Sequence, residues 1–318
     1  MKTFISKSWP KFLKYVCGPL ILIILFWTIG IRLILALLTS INLNYFMLAY
    51  LLFVLSYFIA AMNLYVLVFP LKKIDPQKYL QYFFANRLTA LIFPGRLGEF
   101  SITLYFKKEG ITLGRGLAAV VTDKLITISW SMIFGLAAIY FFMKGANIHI
   151  IAIYVIILIM LFLLLLSPTS RRLIRKWILR KYSHHFEGFS ATLFSYEGEH
   201  KTITFVNIIL ALIRIIVIAL SAKVMFLALQ TDVPLLTLIL IGGLETLSNS
   251  IPLTINGLGI KQAIGVYVFS AIGISPVVTG ARYVMEFLIQ YSFGFFSTFF
   301  IQNNLLHDKE ELPESILK

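Results

Sequence analysis

The chain has 318 residues, of which 59% are hydrophobic and only 13% charged, and its mean hydropathy is +0.89. Soluble domains carry about a quarter charged residues, so an ordinary water-soluble enzyme is excluded and a polytopic membrane protein is indicated. The formal charge of +14, from 28 Lys+Arg against 14 Asp+Glu, does not imply a nucleic-acid partner. In a membrane chain the basic residues must first be sorted by depth and side.

The apolar run after Lys14 is too long for a signal peptide and has no small-residue cleavage site, so it reads as a retained anchor over residues 15–38. Further full-length spans are expected at 44–70, 117–142, 148–167, 203–230 and 276–301, each near the 20 apolar residues that cross about 30 Å of hydrocarbon. Two more apolar stretches, 79–106 and 235–273, are interrupted: the first at Pro94-Gly95 and Gly98, the second at Pro252, Gly257 and Gly259. Between the halves lies a basic loop, 168–202. The single cysteine, Cys17, excludes an internal disulfide. The five histidines lack metal-ligand spacing, and neither a nucleophile elbow nor a phosphate loop is present. No catalytic residue, metal or cofactor is therefore expected.

The loops orient the spans. Nineteen basic residues fall at the N-terminus, near 72–78, near 107–115, in the 168–202 loop and in the tail, against Lys144 alone in the alternate loops. This positive-inside bias predicts two cytoplasmic termini. It also makes 79–106 enter and leave from the cytoplasm, and 235–273 from the opposite side. The expected fold is all-α, a single membrane domain of about six full spans plus two broken re-entrant hairpins. These form inverted-topology repeats, 44–142 and 203–301, and such opposed, Pro/Gly-broken segments point to a transporter's central site. Two pairs of short ordinary spans, giving ten crossings, remain the alternative. In either case the broken backbone needs protein or water to satisfy it, which places the breaks around a polar cavity.

A mid-bilayer charge costs about 3 kcal/mol on insertion scales, yet Arg32, Arg87, Arg96, Glu99, Asp123, Lys124, Arg214, Lys223, Glu245, Lys261, Arg282 and Glu286 lie in or beside apolar segments. Arg87, Arg96 and Glu99 surround the first break, and Lys261 follows the second. Bases beside broken helices, whose free N–H groups favour anions, suit a phosphate-bearing headgroup. Arg282 and Glu286, spaced i,i+4, read as a ligand pair or as a structural ion pair. Asp123-Lys124 reads as part of the site or as an interfacial pair with Lys124 snorkelling, and Lys223 and Arg32 as snorkelling bases.

The breaks also carry a family resemblance. PGRLGE (94–99) followed by AAVVTDK (118–124) resembles the first motif region of the lysylphosphatidylglycerol synthase transmembrane family, which includes the flippase half of the bacterial multiple-peptide-resistance factor. Asp123-Lys124 stands for that family's usual Glu-Arg, and IPLTINGLGIKQA (251–263) is similar to its second motif, with Gln262 where Glu is usual. The buried charges, the breaks and the resemblance together make Arg87, Pro94, Arg96, Gly98, Glu99, Asp123 and Lys124 the candidate substrate contacts of the first half. In the second half the candidates are Pro252, Asn256, Gly257, Gly259, Lys261, Gln262, Arg282 and Glu286. The expected function is that of an inner-membrane flippase for an anionic phospholipid or polyprenyl-phosphate-linked glycan in envelope biogenesis, partnered by envelope glycan or lipid synthesis enzymes. The alternatives are a membrane-embedded headgroup transferase and a non-catalytic scaffold. The family's soluble aminoacyl-transfer domain would follow the membrane part, and this chain ends about 17 residues past its last expected span, so synthesis of the lysyl-lipid is not expected of it.

Overall fold

The structure is a computed structural model and describes residues 2–92, 97–143, 156, 187–250, 254 and 257–297. The described residues form eleven α-helices and one 3-10 turn, with no strand. In chain order these are α1 (Lys2–Ile29), α2 (Ile31–Thr39), α3 (Leu43–Val68), α4 (Pro76–Ile92), the 3-10 turn Leu97–Ser101, α5 (Ile102–Lys108) and α6 (Leu113–Phe142). After the central loop come α7 (Phe189–Glu197), α8 (Lys201–Ala228), α9 (Leu235–Ser250), α10 (Ile260–Ala271) and α11 (Pro276–Ser297). The expected span 148–167, most of the 168–202 loop, and the residues Pro94, Arg96, Pro252 and Asn256 lie outside the described residues.

Among the described residues three helices, α3, α6 and α8, are long and apolar enough to cross a membrane, and the α1–α2 pair makes a fourth if taken as one broken span. Sequence pattern suggests one straight run at 15–38; instead the chain bends by 79° between α1 and α2. Gly30 makes the bend at φ +103, a left-handed conformation that costs glycine little and other residues more. The last helix, α11, is long enough but carries Arg282 and Glu286, and does not meet the same apolar standard. The protein is thus an all-helical, multi-pass membrane protein. Its outward residues agree: Ile23, Trp27, Leu51, Phe205 and Phe295 are large, apolar and exposed, as lipid contact allows and water does not.

Each interrupted stretch becomes a pair of short helices. At 1.5 Å per residue, α4 and α9 are about 25 Å long and α10 about 18 Å, each less than the hydrocarbon thickness. Each pair is followed by a longer helix, so the order long helix, broken hairpin, long helix occurs twice, as α3 to α6 and as α8 to α11.

The halves are joined through α3 and α8. Ser221 donates to the Ala49 carbonyl at 2.8 Å, and the Asn207 amide donates to the Asn63 carbonyl at 2.7 Å. As residue number rises along α3 it falls along α8, so the two helices run antiparallel. Apolar side chains fill the space around this axis. Leu64, Tyr79, Phe84 and Phe106 pack the first half, Ile139, Phe226, Ile241 and Phe269 the second, and Ile34, Phe53, Met225 and Met285 the junction with α2. The helices α6 and α9 meet backbone to backbone: a Cβ on Gly243 would lie 2.7 Å from both the Gly135 nitrogen and the Ser131 carbonyl oxygen. Small residues at such crossings replace the hydrophobic drive that lipid does not supply.

Candidate functional site

A cavity of about 190 Å³ lies between the halves, lined by α3, α4, α6, α8, α9, α10 and α11. Two clusters of charged residues face it, one from each half.

In the first half, Glu99 stands in the turn just after the break. Its carboxylate meets Arg87 of α4 at 3.5 Å and Lys124 of α6 at 2.5 Å. Lys124 also reaches Asp123 at 3.2 Å, and Asp123 accepts a 2.7 Å hydrogen bond from the Asn63 amide. Arg87 donates to the Tyr57 hydroxyl at 2.9 Å. The turn that presents Glu99 is held by Asn86, which donates to the Glu99 carbonyl at 3.2 Å, and by Ser101, which donates to the Gly98 carbonyl at 2.7 Å. Gly98 is buried at this point.

In the second half, Lys261 follows the break. It pairs with Glu286 of α11 and with Glu245 of α9 at 3.6 Å. Arg282 closes the ring, 3.0 Å from Glu245 and 3.3 Å from Glu286, and the Tyr283 hydroxyl donates to Glu245 at 2.6 Å. Tyr283 reaches Glu245 across Gly265, where a Cβ would fall 1.6 Å from the hydroxyl oxygen; that glycine is required by the hydrogen bond.

The clusters are the same device with the charges exchanged. Arg87 and Glu245 lie toward the C-terminal end of the first hairpin helix, Glu99 and Lys261 follow the break, and Lys124 and Glu286 lie on the closing helix. In each the residue after the break holds the other two, through opposite signs. Each cluster holds two bases and two carboxylates, so each is neutral. That is how a low-dielectric site retains eight ionised groups: removing any one would leave an uncompensated buried charge.

Of the residues singled out by sequence, Arg87, Glu99, Asp123, Lys124, Lys261, Gln262, Arg282 and Glu286 line the cavity. The expected pair Arg282–Glu286 forms, and each member also binds a residue outside the pair. Asp123 is buried, with its neighbour Lys124 directed at Glu99. Lys223 binds Asp232 at 2.7 Å. Gly257 and Gly259 sit at the second break. There α1 crosses so closely that a Cβ on Gly259 would lie 2.7 Å from the Ile21 Cβ, and the residue takes φ +86.

Gln262 has a local role: its side-chain oxygen accepts the Gly259 N–H at 2.7 Å and caps the start of α10, as glutamine or glutamate does three residues into a helix. The carboxylates beside Lys261 come instead from Glu245 and Glu286. Sequence reasoning gave no substrate-binding role to Glu245, considered only as a base for the transferase alternative, nor to Arg214, Tyr57 or Tyr283. The first two were visible as charges inside apolar segments. The tyrosines carry no signal that separates them from the chain's other aromatic residues.

The arrangement defines an integral membrane protein with a charged chamber between two broken-hairpin halves. The family described as the lysylphosphatidylglycerol synthase TM region matches residues 12–297, and the chain belongs to that family. No curated protein and no solved structure matches the chain.

Proposed function

We propose that the protein moves an anionic lipid headgroup, that of a phospholipid or a polyprenyl-phosphate-linked glycan, across the bacterial inner membrane. The observation that carries this reading is the chamber: charges from both halves converge on one cavity at the depth of the longest spans. A polar chamber inside a lipid-facing shell suits a molecule whose head is hydrophilic and whose tails stay in hydrocarbon. Family membership supports a lipid as the substrate. The antiparallel α3–α8 axis and the charge-exchanged hairpins support an inverted repeat, and the positive-inside bias of the loops supports two cytoplasmic termini. Rocking of one half against the other about α3 and α8 then exposes the chamber alternately to the two sides.

Transfer chemistry is not favoured. Glu99, Asp123 and Glu245, the carboxylates nearest the breaks, are each engaged by a base, which opposes a role as a free general base. The test is reconstitution in liposomes containing a fluorescent phosphatidylglycerol or polyprenyl phosphate. Inner-leaflet probe becomes accessible to an external reductant with the wild type, and more slowly with Lys261→Ala. Failure to translocate any phospholipid or polyprenyl phosphate would refute the reading, and an unchanged rate in Lys261→Ala would remove the second cluster from it.

A further inference from the structure

Among the described residues, eight of the nine charged side chains that line the cavity belong to the two neutral clusters. The ninth is Arg214. No ion pair or hydrogen bond with any described residue engages its guanidinium.

Its depth is fixed by its helix. Arg214 is the fourteenth of the 28 residues of α8, so about 20 Å of helix lies on either side of it. A side chain that far from both ends does not reach water by snorkelling. It lies on the stripe that lines the cavity, where Arg214, Ile218, Ser221, Ala222 and Met225 follow helical spacing; Ser221, Ala222 and Met225 of this stripe are buried, Ile218 is partly open, and Phe205, Ile209 and Ile213 are exposed along another stripe. An arginine presents a planar fork of donors. The four other cavity bases must release a carboxylate before they bind an anion, whereas Arg214 has none to release among the described residues.

We infer that Arg214 is the residue that binds the phosphate of the substrate, the paired bases and acids serving to build the chamber around it. This deepens the headgroup reading above and rests on it. The fork matches a phosphate through two parallel N–H···O bonds, which a lysine cannot reproduce. The shared chemistry is a phosphate group, carried by a lipid or by a soluble phosphate ester.

The test uses the full chain in detergent, with melting temperature followed against ligand concentration. The ligands are dihexanoyl phosphatidylglycerol, dihexanoylglycerol (which has no phosphate) and glycerol 3-phosphate. The wild type is expected to be stabilised saturably by the phospholipid and not by dihexanoylglycerol. Arg214→Gln weakens the phospholipid affinity by at least about tenfold, the factor carried by one hydrogen bond to a charged group, and Arg214→Lys weakens it less. Without ligand, Arg214→Gln melts no lower than wild type, because an unpaired intramembrane charge has been removed; a merely structural arginine would give a lower value. An unchanged affinity in Arg214→Gln overturns the inference, as does a wild type that binds no phosphate compound. So does a loss of affinity accompanied by lower ligand-free melting. An equal, Arg214-dependent response to glycerol 3-phosphate supports the phosphate site and assigns it to a soluble ester. Arg214-dependent lipid binding without translocation in liposomes supports the site while refuting transport.

Discussion

Lys261 is the point at which the neutrality of the second cluster can be tested. Replacing it with methionine keeps most of the side-chain volume and removes a charge shared by Glu286 and Glu245. Both members of the Lys261–Glu286 pair have side chains 14% exposed, so water screens little of the loss. Breaking a buried pair by removing one partner costs about 3–5 kcal/mol. At about 2–4 °C per kcal/mol, the apparent melting temperature in detergent should fall by about 6–20 °C. Adding Glu286→Gln to Lys261→Met removes the stranded carboxylate and leaves Arg282 and Glu245 as a closed pair at 3.0 Å. The double variant should therefore recover much of the loss, with a coupling of about 2 kcal/mol, within the range found for neighbouring charged residues. The assay is a double-mutant cycle on wild type, the two single variants and the double variant. Costs that simply add would refute the account of the cluster as a mutually compensating set.

Other outcomes follow from particular contacts. Gly243→Val places a side chain against the backbone of Ser131 and Gly135; it should destabilise by at least about 1–3 kcal/mol as overpacking, read as lost folded yield and lower melting temperature. Tyr283→Phe removes a 2.6 Å donor from Glu245 but leaves Arg282 in place, so a smaller loss of about 1–3 kcal/mol is expected in the same melting assay. At the open end of the first hairpin, burial pushes the Glu109 carboxyl up, but hydrogen bonds from Lys78 and Tyr82 outweigh it and hold it below its usual 4.5. A lowered carboxylate contributes stability that is present above the unfolded value and is lost as pH falls through the lower folded value. Wild type should therefore lose more melting temperature than Glu109→Gln on acidification from pH 6 to below about 4.5, and equal losses would refute that linkage.

The long spans were legible because hydropathy reports them directly: α3, α6 and α8 begin within a few residues of the expected 44, 117 and 203. The breaks were legible for a different reason. Proline together with closely spaced glycines inside an apolar segment favours a break, since proline removes a helix hydrogen bond and clashes with the preceding turn, and α4 and α9 stop beside Pro94 and Pro252, whereas the isolated Pro19 is accommodated within α1. The bend at Gly30 was not, since one glycine in an apolar run is ordinary in a membrane helix. At the site, composition identifies residues that are expensive to bury but not the residues that compensate them. Arg282 and Glu286 are four apart and their pairing can be read from spacing. The contact between Glu245 and Arg282 spans 37 residues, and Lys261 to Glu286 spans 25, so both depend on how three helices meet. Arg214 shows the converse: its charge is plain in the sequence, whereas the lack of a partner among the described residues becomes apparent only after every neighbouring carboxylate has been assigned.

Closure of each cluster within its own half bears on how the protein is made. The ion pairs of the first are complete once residue 124 has been synthesised, and those of the second need only residues 245–286. During insertion, neither group of charges has to wait in the bilayer for a counter-charge from the other half. What remains for the later docking of α8 on α3 is short-range and uncharged, the bonds from Asn207 and Ser221 to backbone carbonyls. A chain arranged in this way can leave the insertion machinery with each charged cluster already balanced, Arg214 of α8 being the one cavity charge outside them among the described residues, and assemble afterwards through the uncharged α3–α8 bonds.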